Sequence, residues 1–272
     1  MGVVNKDGKI INKEIFNYPS IQSENVIFDK ISEYVSKNSK NVKSIGIGVP
    51  GIVRDNKIIY TCNLPLENIN VKKLIKTDLP IYLGNDAVCA TIAEYHYIDS
   101  QKHDNYLLMT IGTGVGAGVI LNKKLYLGKS GAAGEIGHMV IERDGLQCNC
   151  GRKGCFEKYV SIKKLLQDTG TESLKEFFYI VERNEKIANM FDKYLNDLAE
   201  GIANVINVYD VDVVVIGGSI SWFGEKYIHI LRSKVKEKIY NDYTYKVNIK
   251  CAKLGNDAGI IGASLLSKYI KY

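Results

Sequence analysis

The residues best able to do chemistry crowd into one short stretch, 134–157. It reads Gly134-Glu135-Ile136-Gly137-His138 and then, after a short spacer, Cys148-Asn149-Cys150-Gly151-Arg152-Lys153-Gly154-Cys155-Phe156-Glu157. Three thiols, one imidazole and two carboxylates therefore lie close together in the chain. Three thiolates and one imidazole (Cys148, Cys150, Cys155 and His138) make a closed tetrahedral zinc site. Such a site has no open position, so its metal is structural, and the chemistry falls to the carboxylates Glu135 and Glu157 that the loop positions. Gly151 and Gly154 let the loop wrap an ion without Cβ clashes. Two other readings exist: buried cysteines often act as small hydrophobes, and thiols can pair as a disulfide. Three of the six cysteines in one Gly-punctuated octet favours the metal. Cys148 and Cys150 are also too close to bridge easily.

The elements that must carry this loop alternate strand-like and helix-like patterns. Residues 2–4 and 9–16 read as a hairpin turning at Asp7-Gly8. Helical spacing of Ile27, Ile31, Tyr34 and Val35 predicts a helix over 27–38. Strands are expected at 44–49, ending in Pro50-Gly51, and at 81–83, running into Gly84-Asn85-Asp86 and a helix over 87–97. In the second half, strands are expected at 106–111 and 116–121, with a Gly-rich turn between them. A long helix is expected over 190–209, and an almost wholly apolar strand at 211–216, as befits a strand covered on both faces. A strand at 246–252 and a helix over 258–269 complete the pattern. This is an α/β chain with two β-rich halves. The boundary falls near His103-Asp104, and the cleft between halves is the default ligand site.

Two Gly-rich turns follow strands. Gly112-Thr113-Gly114-Val115-Gly116 offers backbone N–H groups and a hydroxyl to an anion. It lacks the Gly-Lys-Ser/Thr ending of a Walker A loop, and no helix follows as in a dinucleotide-binding fingerprint. Many hairpins use glycine in the same way. Gly217-Gly218-Ser219 ends the apolar strand, and its bare backbone would admit a flat base or a ribose; a tight strand-to-helix turn explains the same glycines.

Asn85-Asp86 stands between a strand and a helix. Asp86 is either the N-cap of that helix or a general base, with Asn85 orienting a hydroxyl. Phosphoryl transfer to a sugar alcohol uses such a base, worth roughly 10²–10⁴-fold.

Composition sets the frame. The chain has 272 residues, 46% hydrophobic and 24% charged, which suits one large or two modest globular domains. The net charge of +6 is spread through mixed-sign segments without a basic block, so the sequence gives no sign of a nucleic-acid interface. There is no run of membrane-spanning length and no recognisable signal peptide. A cytoplasmic location with reduced cysteines is the expectation.

Taken together, the motifs resemble the ROK family (repressors, open reading frames, kinases). The matching elements are Gly48-Val49-Pro50-Gly51, Gly84-Asn85-Asp86-Ala87, the Gly112 to Gly116 turn, Gly134-Glu135-Ile136-Gly137-His138, the Cys148 to Glu157 loop, Ser161, Gly217-Gly218 and the segment 255–263, in family order. The resemblance implies an actin-like ATPase fold of two α/β domains with a cleft, residues 1–103 plus 257–272 and residues 104–256. It implies transfer of the ATP γ-phosphoryl group to a hexose, usually at the 6-hydroxyl, with Mg²⁺ and a structural Zn²⁺. Asp86 then matches the catalytic base. Asn85, Glu135, His138 and Glu157 match the sugar-binding residues. Gly112, Thr113 and Gly114 match the second phosphate motif, and Gly217 and Gly218 the adenosine turn. His138 would place one ring nitrogen on zinc and turn its other side to the sugar. Family members are commonly dimers or tetramers, so a homo-oligomer is implied.

The chain departs from the family at its front. Family kinases begin with a strand and an Asp-x-Gly-Gly-Thr phosphate turn, whereas residues 1–8 resemble the second strand and the turn after it. The reading is that the first strand of domain one is missing, through an internal methionine taken as the start or through a short product, and that the chain as written is a poor kinase. A glucokinase-like activity leads. Kinases for N-acetylmannosamine or N-acetylglucosamine are close variants, and fructose is less favoured. The reading from a different class is a non-catalytic sugar-binding or regulatory protein. The family's repressors carry an N-terminal helix-turn-helix domain, for which this chain has no residues, so DNA binding is not expected; nor, without an apolar run of membrane-spanning length, is membrane association.

Overall fold

The structure is a computed structural model that describes residues 1–17, 23–61, 64–240, 246 and 248–270, the side chain of Trp222 excepted. In chain order the elements are β1 (Gly2–Val4), β2 (Ile10–Lys13), α1 (Glu24–Asn38), β3 (Ile45–Val49), β4 (Gly51–Arg54), β5 (Lys57–Thr61), β6 (Glu67–Ile69), β7 (Ile81–Asn85) and α2 (Asp86–Glu94). They continue with β8 (Tyr106–Ile111), β9 (Val115–Leu121), β10 (Lys124–Tyr126), α3 (Glu157–Val160), α4 (Ile162–Thr169), α5 (Leu174–Val181) and α6 (Glu185–Tyr209). The last are β11 (Val213–Gly218), α7 (Gly224–Lys236), β12 (Ile249–Cys251) and α8 (Ala258–Tyr269).

These elements pack into two units. The first comprises Met1–Lys102, Lys124–Ala133 and Asn256–Tyr272; the second comprises His103–Lys123 and Gly134–Gly255. Residues 124–133, expected from the sequence to belong to the second half, lie with the first. The reason is apolar: Leu125 and Leu127 pack against the buried cluster that α2 and α8 build, which includes Val88, Ile92 and Leu266.

In the first unit, β1 and β2 form the expected hairpin, with Gly2 opposite Lys13. Asn5 closes its turn by accepting the N–H groups of Asp7 and Lys9 on Oδ1. β3 and β7 run parallel, in register from Ile45 opposite Ile81 to Val49 opposite Asn85. Among the described residues no ladder joins these two sheets. A third sheet, β4-β5-β6, is antiparallel. Its first turn, Asp55-Asn56, places both residues at positive φ, 50° and 56°, as a two-residue hairpin demands. The sequence reading missed this hairpin. Helix α8 lies against α2 at very short range. A Cβ at Gly262 would fall 1.6 Å from the carbonyl oxygen of Cys89, so only glycine permits the approach. The chain after α2 does not continue as one α-helix to Tyr97, as expected, but widens into a π turn over Tyr95–Asp99.

In the second unit the strands run in the order β9-β8-β11-β12. β8 and β9 are antiparallel, and β11 lies parallel to both β8 and β12. Val213 to Ile216 are fully buried, the pattern of a strand covered on both faces. Helix α6 is five residues longer at its start than its apolar spacing indicated, because Asn184 caps it by accepting the Ile187 N–H. Its buried face, including Leu198, Ile202 and Val205, joins the core beneath the sheet. Phe177, Phe191 and Phe223 add edge-to-face ring pairs 5.0 and 5.3 Å apart. The expected strand over 246–252 is realised at Ile249–Cys251, residue 247 lying outside the described residues.

Candidate active site and metal centre

The loop after β10 folds into a knot whose backbone is bonded largely to itself. Gly154 donates to the Leu146 carbonyl at 2.8 Å, Cys148 to the Arg152 carbonyl at 2.8 Å, and Phe156 to the Met139 carbonyl at 2.8 Å. Gly154 sits at φ +75°, and a Cβ there would lie 1.7 Å from the Glu142 carbonyl oxygen. Phe156 anchors the knot, fully buried against Gly201 of α6.

The knot brings His138, Cys148, Cys150 and Cys155 together, with all four donor atoms within 4.8 Å of one another. Cys150 Sγ is 3.6 Å from Cys155 Sγ, and Cys148 Sγ is 3.8 Å from His138 Nδ1. Donors about 2.0–2.3 Å from a tetrahedral ion stand about 3.7 Å apart, so the residues fit a closed metal site. These cysteines are free thiols. Burial pushes the Cys148 thiol up to about 12 and also raises Cys155.

The sugar-binding candidates flank this cluster. His138 ends a short 3₁₀ turn, Ile136–His138, anchored by buried Ile136. Its Nδ1 faces the thiols, and its Nε2 lies 3.9 Å from Glu135 Oε2. Glu157 is the first residue of α3; its Oε1 accepts the Cys148 thiol at 3.3 Å. A Cβ added at Gly114 would lie 3.0 Å from its Oε2. Glu135, His138, Glu157 and the turn at Gly114 thus share one neighbourhood with the four candidate metal ligands.

The two Gly-rich turns are neighbours. β11 pairs with β8 so that Gly217 stands opposite Thr110 and Gly218 opposite Ile111. Gly112, Thr113 and Gly114 follow directly, at the carboxyl end of β8. Both turns leave the carboxyl ends of adjacent parallel strands, the edge where open α/β sheets bind ligands. Gly218 must be glycine: its φ is +79°, and a Cβ would meet the Ile111 carbonyl oxygen at 2.5 Å. The Gly112 carbonyl accepts the Ile162 N–H at 2.8 Å, which ties this turn to the start of α4. Thr113 is exposed at the tip.

Asn85 and Asp86 belong to the first unit. The cap of α2 is Asn85, not Asp86: Asn85 Oδ1 accepts from the N–H groups of Ala87 and Val88 at 2.9 and 3.2 Å. Asn85 Nδ2 donates to the Gly51 carbonyl at 3.2 Å. One amide hydrogen remains beyond these contacts for a hydroxyl. Asp86, freed from the cap, reaches solvent while accepting the Ala87 N–H at 2.9 Å. Partial loss of water around its carboxyl, which keeps one side open to solvent, holds its pKa above the ordinary carboxylate value, and backbone hydrogen bonds offset part of that rise.

Two residues not read from the sequence brace the knot. Arg152 Nη1 donates to the His138 carbonyl at 3.3 Å, and the Tyr159 hydroxyl accepts the Leu146 N–H at 2.8 Å. Ser161, matched only as part of the family pattern, caps α4 by accepting the Lys164 N–H.

Known proteins resemble the whole chain. A glucokinase of Thermotoga maritima is 30% identical over 298 residues, covering 98% of this chain and 93% of its own length. A xylose repressor of Bacillus subtilis is also 30% identical, over 91% of this chain and 67% of the repressor. A crystal structure of a ROK family glucokinase from Streptomyces griseus, in complex with glucose and AMPPNP, superposes with a TM-score of 0.83 at 26% identity, covering 97% of this chain and 94% of that one. These likenesses carry the ROK sugar-kinase fold of the actin-like type. The family model for ROK matches residues 1–270, and the chain belongs to the ROK family.

Proposed function

We propose that this protein transfers the γ-phosphoryl group of ATP to a hexose, at the 6-hydroxyl, with glucose the favoured acceptor. One observation carries the reading. A carboxylate fit to hold a sugar, Glu157, is seated between Cys148 of the metal cluster and Gly114 of a strand-end turn. Sugar-binding and phosphate-binding chemistry are thereby joined within one unit. Glu135, His138 and Glu157 accept or donate to the sugar hydroxyls, and Asn85 contributes its remaining amide hydrogen. The turns Gly112-Thr113-Gly114 and Gly217-Gly218 take the nucleotide by backbone. Asp86, with its raised pKa, accepts the hydroxyl proton as the phosphoryl group transfers.

His138, Cys148, Cys150 and Cys155 would hold a structural zinc ion, which would steady the loop carrying Glu135 and Glu157, and Mg²⁺ would supply charge neutralisation to the triphosphate. Likeness to the Thermotoga maritima glucokinase and to the Streptomyces griseus glucokinase with its glucose and AMPPNP supports this assignment. The test is Mg-ATP-dependent phosphorylation of glucose, N-acetylmannosamine, N-acetylglucosamine and fructose. Turnover on one sugar supports the reading and names the substrate. Binding of a sugar without turnover refutes it.

That second outcome is the other reading, a sugar-responsive protein without catalysis. The xylose repressor, of similar identity, favours it.

A further inference from the structure

A glycine in a turn read as a phosphate cradle is ordinarily explained by bare backbone approaching an anion. Gly114 has a different neighbourhood. A Cβ at Gly112, in the same turn, would meet no heavy atom within 4 Å, whereas a Cβ at Gly114 would meet Glu157 Oε2 at 3.0 Å and nothing else. Ordinary carbon–oxygen contacts lie at about 3.3–3.6 Å, so a methyl group there would displace the carboxylate by a few tenths of an ångström.

Glu157 has little room to yield. On its other side stands Cys148 Sγ, 3.3 Å from Oε1. The backbone is held as well: Glu157 opens α3, its carbonyl accepts the Ser161 N–H at 3.1 Å, and the next residue, Ile162, is tied to the Gly112 carbonyl.

We propose that Gly114 is a sugar-positioning residue: its missing side chain seats the Glu157 carboxylate and so sets affinity for hexose, in addition to the part its backbone takes in the nucleotide turn. The proposal rests on the reading of Glu157 as a sugar ligand. Gly112 is the contrasting position, where bare backbone leaves approach to phosphate open and touches no carboxylate.

The experiment compares Gly114→Ala and Gly112→Ala in the zinc-loaded protein. Calorimetry measures affinity for Mg-AMPPNP and for whichever of glucose, N-acetylmannosamine, N-acetylglucosamine or fructose the wild type binds best. Gly114→Ala is expected to weaken the hexose about three- to tenfold through one displaced charged hydrogen bond, a larger loss than any it causes in nucleotide affinity. Gly112→Ala is expected to leave hexose affinity intact. A Gly114→Ala protein that loses nucleotide affinity and keeps its hexose overturns the proposal. If the wild type binds none of the four sugars, the functional reading has failed, and the crystal structure of Gly114→Ala still reads the seat directly. A shifted Glu157 carboxylate beside an unmoved turn supports it; an unmoved carboxylate beside a displaced turn overturns it.

Discussion

His138 Nε2 lies 3.9 Å from Glu135 Oε2, on the ring edge opposite the nitrogen that faces the thiols. The imidazole therefore joins the metal cluster to a candidate sugar carboxylate. A metal held by His138 with the three cysteines would fix the ring and make its remaining N–H a better donor. Removing the metal should free His138, Glu135 and Glu157 together.

Cys150→Ser tests this coupling. Metal content is expected to fall from about one ion per chain to near zero, because a closed site depends on all four ligands. Hexose affinity should drop about tenfold or more, the usual scale for losing support around a metal site. Elemental analysis with calorimetry checks both. Full metal content, or metal loss with unchanged hexose affinity, contradicts the coupling.

Asp86 gives a pH prediction with a definite sign. Desolvation raises its pKa in the folded protein. Between the unfolded value and the raised folded value, the native state binds more protons than the unfolded chain. Stability therefore falls as pH rises through that window, and above it the charged form remains a constant cost. Asp86→Asn removes that charge and keeps an oxygen for the Ala87 N–H. The variant is expected to be at least as stable as wild type at neutral pH, with the difference closing as pH falls below the folded pKa. Urea denaturation across pH measures it. A variant clearly less stable at neutral pH contradicts the account.

Asn85 has a structural duty beside its proposed sugar contact. Asn85→Ala removes the α2 cap and the bond to the Gly51 carbonyl, at a cost of about 1 kcal/mol. Asn85→Ser restores a capping oxygen and should recover most of that loss without restoring hexose affinity. Equal stability of the alanine and wild-type proteins would mean the cap contributes nothing.

Gly218→Ala places a Cβ against the Ile111 carbonyl oxygen at positive φ. Strain of this kind costs about 1–3 kcal/mol, and the displaced turn should weaken Mg-AMPPNP binding while sparing hexose. Thermal unfolding and calorimetry read the two effects; intact nucleotide affinity would remove Gly218 from the nucleotide turn.

Much of this was legible in the sequence where one physical cause dominated. β8, β9 and β11 show as apolar runs bounded by glycine, and the clustering of His138 with Cys148, Cys150 and Cys155 shows by residue type and spacing. The α2 cap was ambiguous because Asn85 and Asp86 are both good capping residues, and only hydrogen-bond geometry separates them. Helices α3, α4 and α5 are too short for periodicity to mark, although Ser173 and Glu176 carry the spacing of a capping box, and Ser173 does cap α5. The β4–β5 hairpin escaped notice because Asp55-Asn56 turns at positive φ without a glycine. Arg152 and Tyr159 brace the knot through side chain to backbone bonds that leave no pattern in the chain.

The most direct test of the central claim is turnover of the wild type beside Asp86→Asn, with Mg-ATP and the preferred hexose, and with hexose affinity measured on both. The account predicts sugar phosphate from the wild type, a loss of about 10²–10⁴-fold in kcat for the variant, and hexose affinity nearly unchanged. Hexose bound equally by both proteins and phosphorylated by neither would contradict it.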